Sequence, residues 1–109
     1  MQHWDLLALA APRGTRDPVV LHQDDGARAV LVALDAGQEL GEHQVKETAW
    51  VAVVGGTVQV AAGGEHLELG PGGLMRFDPG ERRSVSSRDG ARILMVLAPW
   101  PGEGHYPPV

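Results

Sequence analysis

His43 and Glu47 are the residues whose types and spacing come closest to a catalytic or metal-binding pair. Alternate side chains of a strand point to the same face, so positions 43, 45, 47 and 49 would share one face. A bound transition metal takes three or four nitrogen or oxygen donors, so a third donor would have to come from His22 or His105. The alternative is that His43 is a hydrogen-bonded structural histidine and that Glu47 is a solvated strand-end residue beside Lys46.

Arg83 is a candidate anion-binding residue. If its side chain projects into an apolar interior, the guanidinium needs an anionic partner, either a protein carboxylate or the carboxylate or phosphate of a ligand. If Arg82 and Arg83 both lie on a solvated turn instead, Glu81 is their partner. The sequence leaves both alternatives open. We expect the core or a pocket to be lined by Trp50, Met75, Phe77 and Met95.

The composition excludes several classes of function. Nine basic and fourteen acidic residues give a net charge of 9 − 14 = −5, which argues against a nucleic-acid partner because phosphate recognition needs clustered Lys and Arg. There are no cysteines, so disulfides, zinc–thiolate sites and cysteine nucleophiles are excluded. The N-terminal apolar run does not resemble a signal peptide, and no stretch reaches the ~18 apolar residues of a membrane span. We therefore expect a cytoplasmic protein that binds no membrane.

Short apolar segments separated by Gly, Pro and Asp turns predict an all-β protein with about nine or ten strands. One domain is expected over residues 1–98, followed by a Pro-rich tail at 99–109 in which Trp100 and Tyr106 act as anchors. The run at 29–35 is apolar throughout. This is typical of a strand that is buried on both faces or lies in a dimer interface.

Three further predictions concern individual strands. The first strand is expected at residues 4–9. Gly55 and Gly56 are expected to form a hairpin turn between strands at 49–54 and 57–61, because both glycines tolerate positive φ. Leu67 and Leu69 alternate with polar residues and are expected to face inward.

Two spaced patterns resemble the motifs of the cupin superfamily. The first family motif, G-x5-H-x-H-x3-E-x6-G, begins at Gly37 and ends at Gly56. Its first histidine position is His43, whereas its second histidine and its glutamate positions hold Val45 and Ala49. The second family motif is G-x5-P-x-G-x2-H-x3-N. Its positions hold Gly72, Asp78, Gly80, Arg83 and Ser87.

The four framework glycines match the family, but three of the four metal-ligand positions do not. Glycines at these places allow tight turns between strands, so they indicate the fold. The resemblance implies an all-β cupin double-stranded β-helix, which is a jelly-roll barrel, and a homodimer. It also implies that the usual metal site is lost, because Val45 and Ala49 carry no donor and Arg83 is a permanent cation.

The leading functional hypothesis is a small-molecule-binding module without a metal or other cofactor. Its small polar or anionic ligand would contact His43, Arg83, Trp50 and Glu47. The alternative is a divergent cupin enzyme. One version is a dioxygenase, isomerase or lyase with a divalent transition metal on His43, Glu47 and His105, and the other is a metal-free, epimerase-like enzyme with His43 as general base. A third hypothesis is a structural dimer whose barrel is filled with side chains. The fold leaves the ligand and the pathway open.

Overall fold

A computed structural model describes residues 1–11, 18–40 and 45–101. Two antiparallel sheets contain all the strands of this part of the chain, in the orders β1-β2-β9-β4-β7 and β3-β8-β5-β6. The strands are β1 (Val19–Gln23), β2 (Arg28–Leu34), β3 (Gln38–Glu39), β4 (Thr48–Gly56), β5 (Val58–Ala62), β6 (Glu65–Leu69), β7 (Leu74–Phe77), β8 (Arg83–Ser87) and β9 (Ala91–Ala98). The prediction of an all-β protein is therefore confirmed.

The core lies between the two sheets and is built by strict alternation along the strands. In β9 every second side chain is buried, beginning with Ala91 and Ile93, and β8 shows the same alternation. The inward residues of both sheets form one apolar cluster, which includes Val51, Val85 and Ile93. Each fully buried apolar side chain of this kind stabilises the fold by roughly 1.5–3 kcal/mol.

Strand β2 is buried on both faces, as its continuous apolar sequence predicts. Val30 and Val32 belong to the core cluster, whereas Leu31 and Ala33 point to the opposite face and are also buried. The N-terminal segment lies against this outer face. Arg92, which pairs with Ala33 across the sheet, donates from Nη1 to the carbonyl oxygen of Leu6 at 2.8 Å.

The prediction of a first strand at residues 4–9 is wrong, because residues 6–8 form a turn. The side chain of Asp5 accepts hydrogen bonds from the backbone N–H groups of Leu7 and Ala8, at 3.1 and 3.2 Å. Asp commonly stabilises turns through such local bonds, which compete with strand pairing.

The hairpin predicted at Gly55 and Gly56 is also wrong. Strand β4 belongs to one sheet and β5 to the other, so the two glycines carry the chain across between the sheets. Gly56 has a φ of 74°, and a Cβ at this position would lie 2.2 Å from the carbonyl oxygen of Gly90. Positive φ and close backbone approach favour glycine equally in a hairpin and in a crossover. The hairpin at Gly63 and Gly64, by contrast, does join the paired strands β5 and β6.

The C-terminal residues of the described chain complete the core. Trp100 is 3% exposed and belongs to the core cluster. Its backbone N–H donates to the carbonyl oxygen of Gly26 at 3.2 Å, and the guanidinium of Arg28 lies 4.8 Å from the centre of its ring. Trp100 is therefore an anchor, as predicted, whereas Tyr106 lies outside the described residues. Within those residues, no helix is long and apolar enough to cross a membrane.

Candidate ligand-binding site

The strand register brings the candidate residues to one end of the barrel. Ala49, near the start of β4, pairs with Phe77 at the end of β7, and Ala62 at the end of β5 pairs with Arg83 at the start of β8. Arg83 contacts Phe77 across the two sheets, so both pairs lie at the same end. We call this end, which also carries Glu47 just before β4, the Arg83 end of the barrel.

Arg83 projects into the barrel interior. Its position in β8 shares the inward face with Val85, and the whole residue is only 2% exposed. The guanidinium carbon lies 4.8 Å from the centre of the Phe77 ring, which is within the range of a cation–π contact. Of the two alternatives that the sequence left open, the interior one is therefore correct for Arg83, and only Arg82 is exposed.

The charge of Arg83 is incompletely satisfied within the described part of the chain. Its two terminal nitrogens, Nη1 and Nη2, are buried and have no hydrogen-bond partner there. Burial lowers the pKa of Arg83 below its ordinary value, and the negative charge of Glu81 opposes this effect. Buried polar groups in proteins are nearly always hydrogen-bonded to protein, water or ligand. This guanidinium is therefore placed to bind an acceptor.

Glu47 is buried as well, although it lies in a bend just before β4. It is 0% exposed, and Ala49, two positions later, is also buried. The interpretation of Glu47 as a solvated strand-end residue is therefore wrong. The neighbouring Lys46 is exposed instead.

Trp50 does not line the barrel interior, which corrects its prediction as a pocket residue. It lies between the buried residues Ala49 and Val51 and therefore points to the outer face, where it is 43% exposed. There it lies under the guanidinium of Arg76, at 5.8 Å from the ring centre. Arg76 also forms an ion pair with Asp78 at 2.6 Å. The other predicted core residues, Met75, Phe77 and Met95, are buried.

Two of the predicted site residues, His43 and His105, lie outside the described residues. His22 lies on the surface in β1, where its Nε2 atom is 3.1 Å from Oδ2 of Asp24. Backbone N–H groups of Gly26 and Ala27 also donate to Asp24. The pKa of Asp24 is lowered, first by the hydrogen bond from Gly26 and then by the one from His22. His22 is thus engaged in a surface turn.

The described residues do not fit the metal that cupin motifs usually bind. Val45 and Ala49, at the second-histidine and glutamate positions of the first motif, carry no donor atom. At the histidine position of the second motif stands Arg83, a cation that is buried in the interior. No group of three or more His, Asp or Glu side chains with metal-binding geometry occurs in residues 1–11, 18–40 and 45–101. We therefore derive no chemistry from a metal.

A cleft of about 420 Å³ opens between the edge strands β6 and β7 next to the Arg83 end. It is lined mainly by apolar side chains, among them Val60, Leu67, Leu69, Leu74, Met75 and Phe77. Leu67 has the inward orientation that alternation predicts, because it pairs with the buried Val60. It is nevertheless 44% exposed, since β6 is an edge strand that the second sheet leaves partly uncovered. Nothing in the sequence analysis indicates this opening.

Comparison with known proteins supports the fold assignment. The chain matches no protein-family model, and no curated protein matches it in sequence. A cupin superfamily protein from Desulfitobacterium hafniense superimposes with a TM-score of 0.78 at 13% identity, covering 90% of this chain and 92% of that one. An RmlC-like cupin from Desulfovibrio desulfuricans superimposes with a TM-score of 0.78 at 20% identity, covering 91% of this chain and 97% of that one. A protein from Thermus thermophilus superimposes with a TM-score of 0.79 at 28% identity, covering 91% of this chain and 98% of that one.

These similarities define the fold. All-β topology, two facing antiparallel sheets and superposition of 90% and 91% of the chain on cupin structures show that the chain has the cupin double-stranded β-helix fold. The four framework glycines of the two sequence motifs agree with this assignment. They all have positive φ: Gly37 at 80°, Gly56 at 74°, Gly72 at 89° and Gly80 at 76°.

Proposed function

We propose that this protein is a cupin module that binds a small anionic molecule through Arg83, without the usual cupin metal. The observation that supports the proposal is the burial of the Arg83 guanidinium, with Nη1 and Nη2 unpaired among the described residues. Leaving a buried donor unsatisfied costs about 1–3 kcal/mol. A ligand carboxylate or phosphate would remove that cost by accepting two parallel N–H bonds from the planar guanidinium.

The experiment is an anion screen by isothermal titration calorimetry, with acetate, butyrate, phosphate and sulfate as probes at constant ionic strength. The matched pair of variants is Arg83→Met and Arg88→Met. Arg88 is a surface arginine, 76% exposed and 3.7 Å from Glu68. We expect at least one anion to bind the wild type and the Arg88 variant equally and to lose about tenfold or more in affinity for the Arg83 variant. Equal affinity for all three proteins would refute the assignment.

A divergent cupin enzyme is the second candidate, and one observation favours it. Glu47 is a fully buried carboxylate close to the Arg83 end of the barrel, and carboxylates are common general acids and bases in catalytic sites. Metal content by mass spectrometry, on untagged protein purified without chelator, tests the metal-dependent version. A stoichiometric transition metal that is lost in Glu47→Gln would favour the enzyme over the binding module.

We further propose a homodimer that covers the outer face of strands β4 and β7. Trp50 and Leu74 lie on neighbouring strands of this face and are both exposed, Leu74 by 61%. Exposed apolar side chains that cluster on one face favour association. Light scattering coupled to size exclusion should give twice the mass of the 11.6 kDa chain, and Trp50→Glu should shift it to the monomer. A monomeric wild type at micromolar concentration would contradict the dimer.

A further inference from the structure

The apolar cleft and Arg83 are neighbours, which suggests one composite site. Phe77 lines the cleft and carries the Arg83 guanidinium over its ring at 4.8 Å. Ala62 also lines the cleft and pairs directly with Arg83 across strands β5 and β8. Glu81, another lining residue, is the group whose charge acts on Arg83. Arg83 itself lines a neighbouring cavity, which shares Ala62 and Gly63 with the cleft.

Charge at the cleft opening limits the kind of anion that fits. Glu65, which is exposed, lines the cleft together with Arg76, whose charge is already paired with Asp78. A second negative charge at the outer end of a ligand would be repelled there, whereas an apolar chain would be favoured by the leucines.

From these placements we infer that the ligand is an amphipathic monocarboxylate, with its carboxylate on Arg83 and its apolar body in the cleft between β6 and β7. The inference rests on the proposed function and adds the ligand class. The cleft of about 420 Å³ lies within the range of small-molecule pockets, which are mostly apolar with a few polar groups that fix orientation. An aliphatic chain and a compact aromatic body satisfy the same description.

The test is a calorimetric series of sodium carboxylates of increasing chain length: acetate, butyrate, hexanoate and octanoate. Burial of each methylene strengthens binding by about fourfold when complete, so with partial exposure we expect at least about tenfold from butyrate to octanoate. Octanol lacks the carboxylate and suberate carries a second one, so both should bind at least about tenfold more weakly than octanoate.

Variants separate the two halves of the site. Arg83→Met should weaken all carboxylates, whereas Leu67→Gln should weaken octanoate and leave acetate unchanged. The control is Leu7→Gln, an exposed leucine at another cavity, which should leave the whole series unchanged. Leu67 is 44% exposed, so the fold should tolerate the change.

The outcomes distinguish failure of this inference from failure of the proposed function. Arg83-dependent binding that does not grow with chain length would overturn the amphipathic ligand and leave the anion site standing. Octanoate binding that is independent of Arg83 would overturn the inference, because it would show nonspecific binding to an apolar surface. If neither carboxylates nor phosphate bind, both proposals fail. Dimerisation abolished by Leu67→Gln would assign the cleft to a second copy and overturn the inference.

Discussion

Replacing Arg83 by Met should stabilise the ligand-free protein while abolishing anion binding. Methionine keeps an unbranched side chain of adaptable shape and removes the buried charge. Each unsatisfied buried donor costs about 1–3 kcal/mol, and Arg83 has two such terminal nitrogens among the described residues. The cation–π contact with Phe77 offsets part of that cost, by about 0.5–2 kcal/mol. These terms leave a gain of between about 0 and 5 kcal/mol in the free energy of unfolding. The replacement of buried ion pairs by apolar residues, which gains about 1–4 kcal/mol, lies within this range.

The assay is urea denaturation followed by circular dichroism, in a buffer without carboxylate, phosphate or sulfate. Arg88→Met is the matched control, and an exposed substitution of this kind should change stability by no more than about 0.5 kcal/mol. With an anion at one hundred times its Kd, the wild type should gain about 2.7 kcal/mol and Arg83→Met nothing. A loss of more than about 1 kcal/mol in Arg83→Met would mean that the guanidinium is satisfied without a ligand, and the reasoning about the site would be refuted.

Two further predictions concern the barrel's turns. Gly56→Ala should lower the free energy of unfolding by about 3 kcal/mol or more, because its Cβ would lie 2.2 Å from the carbonyl oxygen of Gly90. Gly37→Ala, which has the same positive φ but open space around it, should cost only about 1–2 kcal/mol, so equal losses in urea would contradict the steric argument. Asp24→Ala should lower the Tm at neutral pH, since hydrogen bonds from Gly26 and His22 lower the pKa of Asp24. A depressed carboxyl pKa stabilises the fold above the unfolded pKa and ceases to do so as pH falls through the folded pKa, so the difference in Tm should shrink between about pH 4 and pH 2. A constant difference down to pH 2 would exclude the carboxylate charge as its cause.

Strand alternation was the most reliable source of information in the sequence. It places Glu47 with Ala49 on one face, and the structure buries both. The same rule, carried one residue further, places Trp50 on the opposite face, where the structure has it. The prediction that Trp50 lines the core or a pocket is therefore wrong. A single exposed aromatic residue on a sheet is ordinary, so strand alternation is the better guide to the face on which Trp50 lies.

Other features could not be obtained from local sequence. Gly55 and Gly56 permit the sharp backbone turn that both a hairpin and a crossover need, and only the pairing of β4 with β7 and β9 distinguishes the two. The partial exposure of Leu67 depends on β6 lying at a sheet edge. Strand order is a property of long-range pairing, and no residue near Leu67 encodes it. The cleft therefore escaped prediction, although Leu67 was expected to face inward and does so.

The glycines and the ligand positions of the cupin motifs carry separate information in this chain. Backbone conformation is kept, since Gly72 and Gly80 both have positive φ, and the register of β8 still directs its first side chain into the barrel. The side chains at the ligand positions of the motifs differ. Arg83 stands where the second motif has a metal-binding histidine, and Val45 and Ala49 carry no donor atom. A metal ion and a guanidinium are both cationic, and both attract anions. The replacement at Arg83 therefore alters how an anion would be held at this end of the barrel while the positive charge stays inside it. This is the reason for proposing that an anion binds at this end of the barrel through a different cation.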